Sequence, residues 1–270
     1  MAIKSEIVAS IREIRVYNRP MLRSLWISLR ELLLPSHCAA CGSPAPRDDR
    51  FALCEACGRA LARLVEVLYC PRCGRGAGPY SFDLDGCGMC RRKSVPYDGV
   101  ARIGPYTEPL RDLVLTYKYG RRRELGPVLG RLLAERVALA PWADRVDMVV
   151  PVPLHWRRRV GRGFNQAAGL AGEVVRATRR RLVSRPLLRV RSTVHQTRLP
   201  PSRRAENVRG AFAVRGRAAT LAGRRILLVD DVLTSGATMG ECARTLKRAG
   251  AASVYAAVAA VAGPHEPGPW

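Results

Sequence analysis

Residues 226–239 read Ile-Leu-Leu-Val-Asp-Asp-Val-Leu-Thr-Ser-Gly-Ala-Thr-Met, a run of strand character that ends in two adjacent carboxylates and a small, hydroxyl-rich turn. The turn, Thr234, Ser235, Gly236, Ala237 and Thr238, opens a helical stretch. Backbone N–H groups, hydroxyls and the positive end of the helix dipole would converge there, which suits a phosphate monoester. Asp230 and Asp231, at the carboxyl end of the strand, are placed to accept hydrogen bonds from two vicinal hydroxyls. Pair and turn together describe a site for a ribose 5-phosphate. The run lacks the Gly-x-x-x-x-Gly-Lys of a P-loop and the Gly-x-Gly-x-x-Gly of a dinucleotide fold. An ordinary acidic turn with a threonine cap would explain the Asp pair, but explains the Thr-Ser-Gly-Ala-Thr continuation less well.

Eight of the nine cysteines form four Cys-x-x-Cys pairs: Cys38/Cys41, Cys54/Cys57, Cys70/Cys73 and Cys87/Cys90. Twelve residues separate the first two pairs and thirteen the last two, spacings that suit two four-thiolate zinc ribbons. A glycine, Gly42, Gly58, Gly74 or Gly88, adjoins a cysteine of each pair, where the chain must turn around a metal. A disulfide framework belongs to exported chains, and no secretory signal is evident. A redox motif would be a single pair beside a βαβ unit. Sequential and interleaved pairing of the four motifs remain equally open on spacing alone. A site of four thiolates is coordinatively closed and keeps no water to activate, so the module is expected to support structure. Chelation is expected to unfold it while leaving residues 97–270 able to bind their ligand. Cys242, on the helix after the turn, reads as a small buried hydrophobe.

Three further stretches accompany the aspartate run. Leu115-Thr116-Tyr117-Lys118-Tyr119-Gly120-Arg121 comes first. Val149-Val150-Pro151-Val152-Pro153-Leu154-His155, then Arg158, then Arg162-Gly163-Phe164-Asn165-Gln166-Ala167 follow. Arg191-x-Thr193-x-x-Gln196-x-x-Leu199 and Arg204-x-x-Asn207-Val208-x-x-Ala211-Phe212 come last. Taken in this order with the cysteine pairs, the chain resembles the ComF family from about residue 32 to 263. That family joins a double zinc ribbon to a type I phosphoribosyltransferase-like domain and is also called amidophosphoribosyltransferase-like.

The resemblance implies 5-phosphoribosyl 1-pyrophosphate (PRPP) as ligand, Mg²⁺ bridging pyrophosphate and ribose oxygens, and two Zn²⁺ sites paired in sequence, first motif with second and third with fourth. Asp230 and Asp231 would hold the ribose hydroxyls, and Thr234, Ser235, Gly236, Ala237 and Thr238 the 5-phosphate. Leu154, His155, Arg158 and Arg162 would hold the pyrophosphate. Arg204 lies in the segment of the mobile catalytic loop, which would close over the site. If the protein is an enzyme, the reaction is pentosyl transfer, with a nucleophile displacing pyrophosphate from C1; no residue identifies itself as the general base.

Two functions fit this resemblance. One is a PRPP-binding accessory of natural transformation that helps single-stranded DNA into the cytoplasm, in contact with DNA or a helicase-like competence protein. The other is a metabolic phosphoribosyltransferase acting on a base or amine. No glutaminase domain with a nucleophilic N-terminal cysteine is seen, so glutamine-dependent amidotransfer is not expected.

Charge bears on the first function. The 270 residues carry a formal net charge of +24. Counting eight thiolates and two zinc ions leaves roughly +20, a field that attracts polyanions. Basic runs at 91–93, 121–123, 157–159, 179–181 and 203–204 are spread along the chain, and solvated faces would explain them as well. Aromatic residues make up only 6%, so no extended stacking platform for single strands is evident. The apolar stretch 22–34 is broken by Arg23, Arg30 and Glu31, so neither it nor 251–262 is expected to span a membrane, and the cytoplasm is the expected compartment.

The elements that must position these residues follow from periodicity. Isoleucines 3, 7, 11 and 14 mark an amphipathic N-terminal helix that stops near Pro20, with Met21 a candidate start of the working protein. The expected division is a helical extension over 1–35, a double zinc ribbon over 36–92, a phosphoribosyltransferase-like domain over 97–263 and a tail over 264–270. Within the large domain, strands near 99–105, 146–153, 182–190, 225–230 and 252–262 alternate with helices near 108–118, 124–139, 164–179 and 237–249. That alternation gives an α/β fold with a parallel sheet covered on both faces. Residues 191–214, with Pro200-Pro201 and little periodicity, read as a mobile loop.

Overall fold

The computed structural model describes residues 37–45, 53–83, 86–120, 122–154, 164–179, 181–182, 186–191, 193, 199–216 and 220–263. The N-terminal helix, Met21 and the tail lie outside them.

The cysteine region is built twice on one plan. Each half begins with a tight knuckle closed by an antiparallel bridge, His37 with Pro44 and Tyr69 with Gly76. Each continues to a helix whose N-cap is the first cysteine of the next pair: Cys54 before α1 (Glu55–Glu66), and Cys87 before α2 (Gly88–Arg92). A two-residue hairpin, β1 (Phe82–Asp83) with β2 (Gly86–Cys87), leads into the second helix.

Beyond it come β3 (Gly99–Pro105), α3 (Leu110–Tyr119), α4 (Leu125–Ala138), β4 (Met148–Pro151), α5 (Gln166–Thr178) and β5 (Arg181–Leu182). A hairpin excursion follows, with β6 (Leu187–Arg189), α6 (Pro201–Val208) and β7 (Phe212–Val214). The chain then returns through β8 (Arg225–Leu233), α7 (Ala237–Arg248) and β9 (Ser253–Val261). Five strands form one parallel sheet in the order β3-β9-β8-β4-β5. The central strand β9 is almost continuously apolar, and β8 is apolar from Ile226 to Val229, because both faces are covered there.

Two expectations change. The strand read over 182–190 divides: β5 joins the sheet, whereas β6 pairs antiparallel with β7. Pro186 stands between them, and a proline cannot donate to a ladder. The segment read as a mobile loop holds a packed element, because Pro201 is the first residue of α6 and a proline there starts a helix. Val208 and Ala211 are fully buried in the core shared with α7. An eight-residue helix is too short to show a period. Residues 192 and 194–198 of that segment lie outside the description.

Side-chain alternation along β8 divides the core. Leu227 and Val229 enter the cluster with α3, α4 and α5, while Ile226 and Leu228 enter the cluster with β7 and α7. The first cluster also contains Cys38, Ala39, Leu53 and Leu61, so the cysteine module and the sheet share one core. Val100 N–H of edge strand β3 donates to Pro71 O, and α1 lies against Gly104, where a Cβ would come 3.1 Å from Leu64 O. The expected independence of residues 97–270 is not matched by this packing. Without the module, the outer edge of β3 would present unpaired backbone groups and an apolar face.

Candidate functional site

Chain order places the site. From β4 the chain crosses through α5 to β5 on one side, and from β8 it crosses through α7 to β9 on the other. The carboxyl ends of β4 and β8 therefore flank a topological switch point, where open α/β sheets hold ligands. Pairing between the two strands ends at Pro151 with Val229, plus one bond from Val152 N–H to Val229 O. Asp230 and Asp231 follow at once on β8, and Leu154 lies just beyond β4.

Adjacent residues on a strand face opposite sides. Asp231 is on the α3 side, where Lys118 Nζ meets its Oδ1 at 2.8 Å, with both side chains less than 15% exposed. Asp230 turns toward Arg189 of the hairpin and Cys242 of α7. Burial first, and the neighbouring Asp231 charge second, push the Asp230 carboxyl up to about 7, against the pull of the Asp231 N–H, Lys118 and Arg189. Asp230 Oδ1 accepts that N–H at 2.9 Å. A carboxyl so placed favours a partner that donates hydrogen bonds, such as a sugar hydroxyl.

The turn after β8 has the features of an anion cradle. Gly236 adopts φ +74°, a left-handed conformation open to glycine, and as the N-cap of α7 it supplies no side-chain cap bond. Threonine is therefore not a cap here. Ser235 Oγ is buried without a hydrogen-bond partner among the described residues. An orphaned hydroxyl in an uncapped helix start fits an external acceptor such as a phosphate oxygen.

Asn165 caps α5, its Oδ1 accepting from Ala167 N–H and its Nδ2 donating to Val152 O, so it ties the start of α5 to the end of β4. Tyr117 donates to Gln166 O and packs edge-on against Phe164, which anchors the end of α3 beside Lys118. His155, Arg158 and Arg162 lie outside the described residues. Arg204 donates from Nε to Leu199 O and, among the described residues, makes no hydrogen bond to the aspartates or the turn. The structure thus brings together Asp230, Asp231, the 234–238 turn and the start of the Leu154 loop.

Sequence reading overlooked Lys118 and Glu241 as working residues. Lys118 stands in a motif already singled out, but its pairing across 113 positions has no local signal. Glu241, 2% exposed, accepts from Gly210 N–H and pairs with Arg244, clamping the turn before β7 onto α7. Cys242 is fully buried, as read.

The cysteines gather into two groups, Cys38, Cys41, Cys54, Cys57 and Cys70, Cys73, Cys87, Cys90, each with its four sulfurs within 4.8 Å of one another. The motifs pair sequentially. Sγ–Sγ separations of 3.7 Å (Cys41–Cys54), 3.8 Å (Cys70–Cys90) and 3.7 Å (Cys73–Cys87) exclude disulfides. They match the edge of about 3.8 Å expected of a tetrahedron with 2.3 Å metal–sulfur bonds. Ser43 donors hold the Cys41 thiol down to about 6, and the Cys73 thiol with nearby backbone amides holds Cys70 down to about 5. Cys57 is pushed up chiefly by burial, and Cys73 chiefly by the neighbouring Cys70. Four thiolates so crowded repel one another, and a divalent cation removes the conflict.

The sequence matches two families: a double zinc ribbon domain over residues 29–92 and a phosphoribosyl transferase domain over residues 178–270. It is 36% identical over 171 residues to the DNA utilization protein YhgH of Salmonella typhi, covering 62% of this chain and 74% of that protein. It is 31% identical over 167 residues to competence protein F of Haemophilus influenzae, covering 61% and 73%. The chain belongs to the ComF family. Among solved structures, the glutamine PRPP amidotransferase from B. subtilis overlaps 53% of this ComF chain and 30% of its own, at 22% identity and a TM-score of 0.36. No helix among the described residues is long and apolar enough to cross a membrane.

Proposed function

We propose that this ComF protein binds PRPP at the β4/β8 switch point and serves the handling of incoming single-stranded DNA. The observation that carries the first half is the Ser235 hydroxyl, buried and unpartnered among the described residues at a helix start five residues past the raised carboxyl of Asp230. The 5-phosphate would take the amides and hydroxyls of Thr234, Ser235, Gly236, Ala237 and Thr238. Asp230 and Asp231 would accept from the ribose hydroxyls, with Lys118 offsetting their charge. Leu154, His155, Arg158 and Arg162 would face the pyrophosphate, whose oxygens Mg²⁺ would share while keeping several waters. Arg204 and the α6 segment would cover the ligand. Two Zn²⁺ ions would occupy the thiolate clusters of a ribbon module over 36–92, ahead of a ligand-binding domain over 97–263.

The second half rests on the names of the relatives, DNA utilization protein and competence protein F, together with the net charge of +24. A basic field of that size draws a polyanion, with affinity that falls steeply with salt. A helicase-like competence protein and a cytoplasmic setting belong to the same reading.

One preparation tests both halves. Calorimetric titration with PRPP and Mg²⁺ should give one site per chain, with affinity lost at least tenfold in Asp230→Ala and Asp231→Ala, as expected when charge-assisted bonds are removed. No heat with PRPP would refute the reading. Single-strand DNA binding that is retained in the aspartate variants, alongside a transformation defect, would favour the accessory role. Release of pyrophosphate with one of a panel of bases or amines would favour a metabolic transferase.

A further inference from the structure

The second cysteine cluster lies against the phosphate turn. Its knuckle packs on the ends of β3 and β9: a Cβ at Gly74 would come 3.0 Å from Val261 Cγ2 and 3.1 Å from Val100 Cγ1. After α2 the chain runs as a strap, residues 93–97, across the start of α7. There Pro96 abuts Gly240, where a Cβ would come 3.2 Å from its Cγ, and the buried Tyr97 directs its hydroxyl toward Gly236. Arg72 of the knuckle holds the strap by donating to Val95 O at 3.5 Å.

Between strap, knuckle and turn lies a cavity of about 90 Å³. Arg75, Lys93 and Ser94 line it from the cysteine module, and Thr234, Ser235 and Gly236 line it from the turn. Neither cation is engaged in an ion pair among the described residues. The walls therefore offer two positive charges and a hydroxyl opposite an orphaned hydroxyl and uncapped helix amides. A half-open cavity with this lining suits a phosphoryl group.

We infer that the zinc-ribbon module forms the outer wall of the phosphate site, with Arg75 and Lys93 as phosphate-binding residues that the second thiolate cluster holds in place. This rests on the turn at 234–238 being the cradle of the ligand's 5-phosphate. It gives the second ribbon a part in ligand binding, since Cys73 and Cys90 border the same cavity and any loosening of their cluster releases the knuckle and the strap.

The test uses the full chain, zinc-loaded, titrated calorimetrically with ribose 5-phosphate and, separately, with PRPP and Mg²⁺. Arg75→Ala and Lys93→Ala should each weaken both ligands by about tenfold and to the same degree, because both ligands carry the 5-phosphate that these cations would face and only PRPP carries the pyrophosphate. Zinc content and melting profile should stay at wild-type values, and Lys93→Arg should restore most of the affinity. Lys93 is exposed, so Lys93→Ala decides alone if Arg75→Ala proves unstable. Variants that bind both ligands as well as the wild type overturn the inference and leave the phosphate reading standing. A loss confined to PRPP also overturns it, since the cations would then face pyrophosphate. A wild-type protein that binds neither ligand refutes the phosphate reading itself, and this inference with it.

Discussion

The two cysteine clusters are built alike and placed differently. In each knuckle the first cysteine's N–H and C=O close the turn, Cys38 with Ser43 and Gly42, and Cys70 with Arg75 and Gly74. Gly42 and Gly74 take nearly the same left-handed φ, +76° and +78°. Yet a Cβ at Gly42 would meet nothing within 4 Å, whereas one at Gly74 would press into Val261 and Val100. Cys41 is exposed, while Cys70 and Cys73 are buried. The first cluster is set against the core of α3, α4 and α5 through the buried Cys38 and Ala39, and the Ala39 carbonyl accepts from Thr116 Oγ1 at 3.2 Å. The second is set into the sheet end beside the phosphate turn. One local design therefore serves as a brace against the core in one place and as a wall of the proposed phosphate site in the other.

The sharpest way to break this comparison is to remove a ligand sulfur from each cluster. Cys73→Ser should release one zinc and cost at least tenfold in affinity for ribose 5-phosphate, whereas Cys41→Ser should release one zinc and leave that affinity within about twofold. Elemental analysis with calorimetry reads both. Equal losses would erase the distinction.

Next in size is alanine at the paired glycines. Gly42→Ala bears only the cost of a left-handed backbone, about 1–2 kcal/mol. Gly74→Ala adds overpacking against two valines, about 1–3 kcal/mol more, and should melt several degrees lower.

A pH series separates the sheet site from the metals. Because Asp230 is raised from 3.8 to about 7, the folded state binds its proton more tightly than the unfolded state, so stability should fall as pH rises from about 4 to 7. Asp230→Asn should flatten that fall and raise the melting temperature at pH 8 by a few degrees while losing PRPP affinity, with two zinc ions still bound. An unchanged pH profile in the variant would count against a strained carboxyl.

The smallest effect belongs to the brace. Thr116→Val removes one bond to Ala39 O and should cost about 1 kcal/mol in denaturant unfolding, with ligand affinity unchanged.

Much of this architecture is legible in the residues. The aspartate run, the turn, the four cysteine motifs and the alternation of strands with helices depend on neighbours in the chain. Their signals are short-range: thiolate spacing, a glycine where φ must be positive, apolar runs where both faces are buried. The excursion from Pro186 to Val214 was misread because β6 pairs with β7 across 22 intervening residues and α6 is too short for a period.

The sequence by itself determined that an Asp-Asp strand end with a Thr-Ser-Gly-Ala-Thr turn and two four-cysteine sets stand in one ComF chain, because each is made by residues close together along it. Only the tertiary structure decided that the motifs pair sequentially, that Lys118 neutralises Asp231, and that Arg75 and Lys93 stand across a cavity from Ser235. Those contacts join distant segments through a shared core. Their energy depends on desolvation and on the distance between charges, and neither is written in local order.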